Sequence, residues 1–169
     1  MAAFSTSTLS AINSTTQGAI LNQLHARILG LSMTGLGSGK WAICRVPWLP
    51  QLAKEVGYPC GVISPFDEEL PDANTLLGLN RTVFKYVIGI ARANNFDQQN
   101  SMNVVMEWYQ TLRLSFRNTA ATDLAPGGGG VRMGKTNIIQ AGSFIDDDFR
   151  KGADSLFYII GVEADEAFG

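Results

Sequence analysis

The sequence predicts an α+β domain, a mostly antiparallel sheet of about four to five strands packed by two amphipathic helices. Three observations carry that prediction. Residues 81–92 place Thr82, Phe84, Tyr86, Ile88 and Ile90 on one side of an extended chain, with Val83, Lys85, Val87, Gly89 and Ala91 on the other. Met102, Val105, Tyr109, Leu112 and Phe116 then recur at three- and four-residue steps, a helical stripe able to lie on the strand's apolar side. Residues 136–141 and 154–164 read as further strands, the second alternating Leu156, Tyr158, Ile160 and Val162 with Phe157, Ile159 and Gly161.

The 169 residues are the size of one compact domain, able to bury roughly 70 % of the unfolded surface without disulfides or metals. We expect a flexible arm over residues 1–13, rich in Ser, Thr and Ala, and a single domain over residues 14–169. Ser14 to Gln17 has capping-box spacing. It opens an amphipathic helix whose stripe is Ile20, Leu21, Leu24, Ile28 and Leu31, with Asn22, Gln23 and Arg27 pointing away. His25, the one histidine, stands beside the stripe in an expected solvated or capping role.

Residues 34–41, rich in glycine and ending Lys40-Trp41, invite a phosphate-loop reading. That loop needs Gly where Thr34 stands, Ser or Thr where Trp41 stands, and a strand before it with a helix after; this chain has the opposite order. A connector of left-handed turns is expected instead. A strand over residues 41–46 is stopped by Pro47, residues 48–57 form a short excursion, and residues 59–65 are a brief strand fenced by Pro59 and Pro65. Residues 66–74 are expected as an acidic loop. A Gly/Pro-rich stretch over residues 119–135 contains Gly127 to Gly130, and a second acidic loop carries Asp146, Asp147 and Asp148.

Chemistry is sparse. Cys44 and Cys60 lack metal-ligand spacing and are expected as reduced core thiols. No nucleophile motif accompanies His25, and the carboxylates of the two acidic loops lack a rigid paired setting, so an enzyme is not expected, nor a metal or cofactor. A net charge of −2 with no basic run argues against nucleic-acid binding as the main role. No apolar run approaches the roughly 18 residues of a membrane span, and the start has no basic export signal, so a cytoplasmic site of synthesis and no membrane partner are expected. Arg81, Lys85, Arg92, Arg113, Arg117, Arg132 and Lys135 concentrate in the middle of the chain, while residues 67–72 and 146–166 are acidic on balance. Opposite patches on one chain permit head-to-tail contact between copies.

The order helix, strand, short proline-fenced strand, long strand, helix, two strands resembles the tail-terminator and neck proteins of long-tailed bacteriophages. The likeness is carried by Trp48 with residues 59–65, by the strand ending in Ala91, Arg92, Ala93, Asn94 and Asn95, and by the helix with Trp108, Arg113 and Phe116; it spans about residues 17–165. The Gly127 to Gly130 run and the arm stand outside it. The resemblance implies a structural virion protein of the tail or neck, assembled in the host cytoplasm. Its subunits would close a homo-oligomeric ring, commonly a hexamer in this family, that terminates the tail tube and meets the neck or connector proteins, with DNA passing through the lumen. Expected contact residues are Phe4, Trp48, Asp67, Glu68, Glu69, Arg92, Arg113, Arg132, Asp146, Asp147 and Asp148. A head-completion or connector protein and a small-ligand-binding enzyme are the alternatives.

Overall fold

The computed structural model describes residues 15–44, 49–69, 79–93, 98–117, 133–145 and 153–167. Five strands form one sheet: β1 (Trp41–Ile43), β2 (Cys60–Glu69), β3 (Leu79–Ala93), β4 (Met133–Ile145) and β5 (Ala153–Ala167), in the order β1-β2-β3-β5-β4. β1 runs parallel to β2, and every other neighbouring pair is antiparallel. The architecture is therefore the expected α+β, mostly antiparallel sheet.

Helices α1 (Thr16–Leu29) and α3 (Gln98–Arg117) contribute to one core cluster, and α2 (Leu49–Val56) to another. The period of two on β3 explains the division. Phe84, Tyr86, Ile88 and Ile90 join the larger cluster with Ile20, Leu24 and Ile28 of α1 and Val105, Trp108, Leu112 and Phe116 of α3. Val87 and Ala91 face Leu49 and Leu52 of α2 in the smaller cluster. Each fully buried Leu, Ile or Phe contributes about 1.5–3 kcal/mol, so both faces hold the sheet.

The helix α2 corrects the expectation of two helices and an irregular excursion over residues 48–57. Pro50 falls in its first turn, where a missing N–H costs no intrahelical bond, and Leu49, Leu52 and Val56 share one face. β2 also departs from expectation, running on to Glu69 rather than stopping at Pro65. The register shifts between Pro65 and Asp67, and this bulge lets the strand continue against β3. Asp67, Glu68 and Glu69 therefore stand on a strand, not in a loop.

α1 begins with Thr15, whose hydroxyl accepts from the Gly18 N–H at 3.0 Å; the cap is Thr15 alone rather than the expected box from Ser14 to Gln17. Asn22 and His25 are buried, contrary to their expected exposure, because both lie within a helical turn of the Leu21, Leu24 and Ile28 stripe. On α3 the buried stripe is Val105, Trp108, Leu112 and Phe116; Met102 is exposed and Trp108 completes the stripe instead.

Polar contacts lock the helical layer. Arg27 donates from Nε to Ser115 Oγ at 3.1 Å and from Nη2 to the Ser115 carbonyl at 2.9 Å, and its guanidinium lies 6.0 Å from the Phe116 ring centre. Tyr86 donates its hydroxyl to the Gln17 carbonyl at 2.9 Å. Trp108 Nε1 donates to the Thr34 carbonyl at 3.1 Å, which ties the connector after α1 to α3. Of the expected left-handed turns in that connector only Gly35, with φ +78°, is one; Gly37 has φ −74° and Ser38–Lys40 form a 3-10 turn.

Candidate functional site

The acidic end of β2 is built by strand register. Asp67 stands opposite Lys85 and Glu69 opposite Val83, so both carboxylates flank Lys85 on the sheet face opposite α1 and α3. Lys85 pairs with Glu69 and lies 3.6 Å from Asp67. Its hydrogen bond to Glu69, with the two negative charges beside it, raises the Lys85 pKa above the ordinary lysine value and keeps the ammonium charged. On that face two carboxylates stand against one ammonium among the described side chains, and Glu68, opposite Phe84, stands on the other face. Glu68 is exposed and has no ion-pair partner among the described residues. Phe66, at the bulge, is 61 % exposed.

β1 pairs with β2 only from Gly61 to Ile63, so residues 66–69 face no strand on that side among the described residues. Such an edge invites pairing by another chain. Pro65, the bulge and the charges at residues 67–69 are the devices by which edges resist uncontrolled pairing.

The basic counterpart is the outer face of α3. At 100° per residue Met102, Met106, Gln110, Arg113 and Arg117 fall within one exposed stripe, with Leu114 at its margin. Arg113 and Arg117 have no ion-pair partner among the described residues. α3 packs on β5 and β4, whereas the acidic segment belongs to β2, toward the other edge of the sheet.

Arg92 belongs to a third place. It lies seven residues from Lys85 along β3, roughly 23 Å away, and donates to the Asn100 carbonyl at 3.4 Å. With Thr34, Gly35, Tyr58, Pro59, Val104 and Trp108 it lines an open cleft of about 340 Å³. Burial raises the Tyr58 pKa, leaving a neutral phenol there.

Of the expected contact residues, the structure brings Asp67 and Glu69 together on one face of β2, sets Glu68 on the other face opposite Phe84, and holds Arg113 and Arg92 apart from them. Phe4, Trp48, Arg132, Asp146, Asp147 and Asp148 lie outside the described residues, as do the 1–13 arm and the Gly127 to Gly130 run. Sequence reasoning missed Phe66, Met106, Leu114 and the full extent of the α3 outer face. The signal was present, since Met102 and Met106 repeat at a step of four.

His25 and Cys60 are withdrawn from solvent, while Cys44 is partly buried. His25 is fully buried, neither ring nitrogen has a hydrogen-bond partner among the described residues, and burial lowers its pKa. The Cys60 thiol is pushed up to about 11, chiefly by burial, and lies 3.9 Å from the Leu49 carbonyl. Cys44 Sγ is 3.7 Å from Ser64 Oγ. Among the described residues no group of three His, Cys, Asp or Glu is placed to hold a metal ion, and no described helix is long and apolar enough to cross a membrane. No protein-family model matches this sequence, and no curated protein matches it either.

Proposed function

We infer that this chain is a structural virion protein of a long-tailed bacteriophage, forming a homo-oligomeric ring that terminates the tail tube and joins it to the neck. The single observation that carries the reading is the charge arrangement: an acidic strand end and a basic, methionine-bearing helix face on different parts of one subunit. Surfaces of this kind suit a subunit whose partners are other subunits, and head-to-tail contacts close rings. The burial of His25 and Cys60 supports a mechanical rather than a chemical role. The order keeps α1 before β1 and α3 before β4 and β5, but α2 falls between β1 and β2 and β2 runs ten residues, a departure from the order that carries the resemblance.

The ring caps the growing tube on one face and presents the other to the connector. No cofactor takes part, and DNA crosses the lumen without sequence readout. Co-sedimentation tests the assignment of partner. The chain is expected to pellet with tail tubes of the same virus and to mark their ends in electron micrographs. Binding to portal-side proteins with no affinity for tubes would transfer it to the head-completion class, and a melting temperature raised by a small ligand would point to the enzyme alternative.

A further inference from the structure

We propose that the outer face of α3, carrying Met102, Met106, Arg113 and Arg117, docks on the acidic, unpaired end of β2, residues 66–69, of a neighbouring copy. The inference rests on the ring reading and names the two surfaces that make the ring.

Each surface is incomplete alone. The α3 stripe exposes the apolar side chains of Met102 and Met106, 55 % and 52 % accessible, beside two arginines that have no ion-pair partner among the described residues. The β2 end exposes Phe66 beside a cluster in which Lys85 offsets only part of the charge of Asp67 and Glu69, and it exposes Glu68 on the strand's other face. Methionine and aromatic side chains pack adaptably, and arginine forks match carboxylates. One surface therefore supplies what the other lacks, in both apolar contact and charge.

The symmetry follows from the same facts. A two-fold contact of α3 with α3 would bring Arg113 and Arg117 of both copies together, and a contact of β2 ends would oppose carboxylates. Only an unlike pairing neutralises both. Within one chain the two surfaces belong to different layers and to opposite sides of the sheet order, α3 over β5 and β4, the acidic segment on β2 next to β1. That separation lets each copy use one surface on each neighbour.

The test uses two variants of the full chain, Arg113→Glu with Arg117→Glu, and Phe66→Lys with Glu68→Lys. Each retains one intact surface. Alone, each is expected to stay monomeric at concentrations where the wild-type chain assembles. Mixed in equal amounts, they are expected to recover assembly, because the intact surface of each meets the intact surface of the other and the two reversed surfaces are again of opposite sign. Should the reversed arginine pair lower the melting temperature, Arg113→Gln with Arg117→Gln serves instead, with association weakened at least about tenfold for the lost charge pairs. Variants that assemble like the wild-type chain would overturn the proposal and leave the ring reading standing. A wild-type chain that never leaves the monomer would overturn both.

Discussion

Gly61 lies directly beneath the indole of Trp41: a Cβ built on Gly61 would stand 2.3 Å from Trp41 Cζ3. The two residues are register partners across the parallel β1 and β2 pair, and Trp41 is 1 % exposed, so the ring has no room to withdraw. Gly61→Ala is expected to destabilise the fold by about 1–3 kcal/mol through overpacking. Urea denaturation measures it; an unchanged midpoint would show that the indole can move.

Arg27 bridges α1 and α3 by two hydrogen bonds to Ser115 and covers Phe116. Arg27→Ala is expected to cost about 2–3 kcal/mol, since hydrogen bonds from a charged donor and the packing of its stem are lost together. Arg27→Lys should recover only part of this, because an ammonium cannot reproduce the fork. Thermal melting of both variants provides the comparison, and equal melting of Lys and Arg forms would refute the role of the fork.

His25 makes the fold sensitive to acid. Its pKa is lowered in the folded state by burial, so the unfolded chain binds a proton more readily. The His25 contribution is fully present above the unfolded value of about 6.5 and is lost as pH falls through that value toward the lowered folded one. Stability is expected to decline as pH falls below about 6.5. His25→Leu should flatten that part of the profile. A slope unaltered by this substitution would assign the acid sensitivity to carboxylates elsewhere.

Much of this fold was legible because period and burial coincide. The alternation of residues 82–91 and the stripe through Val105, Leu112 and Phe116 carry enough repeats to identify their faces. His25 was misjudged because its polarity outweighed its spacing, although Leu21 and Ile28 stand four and three residues away, on the same side of α1. α2 was missed because eight residues beginning Leu49-Pro50 offer little more than two turns of pattern. The strand beyond Pro65 was hidden by the bulge, which breaks the period of two where the acidic residues begin. For the surfaces, charge sign along the chain pointed to Asp67, Glu68, Glu69 and Arg113. Which patch meets which depends on the third dimension, and no local spacing encodes it.

Assembly of copies head to tail into a closed ring is tested most directly by the mass of the purified chain in solution. Light scattering across a range of concentration and salt is expected to show one ring-sized species of fixed copy number, six being common in the resembled family. That species, or a monomer that becomes one when tail-tube protein is added, fits the account. Raising the salt should shift it toward monomer by screening the arginine-carboxylate contacts. A monomer or dimer indifferent to concentration, salt and tail-tube protein would contradict it.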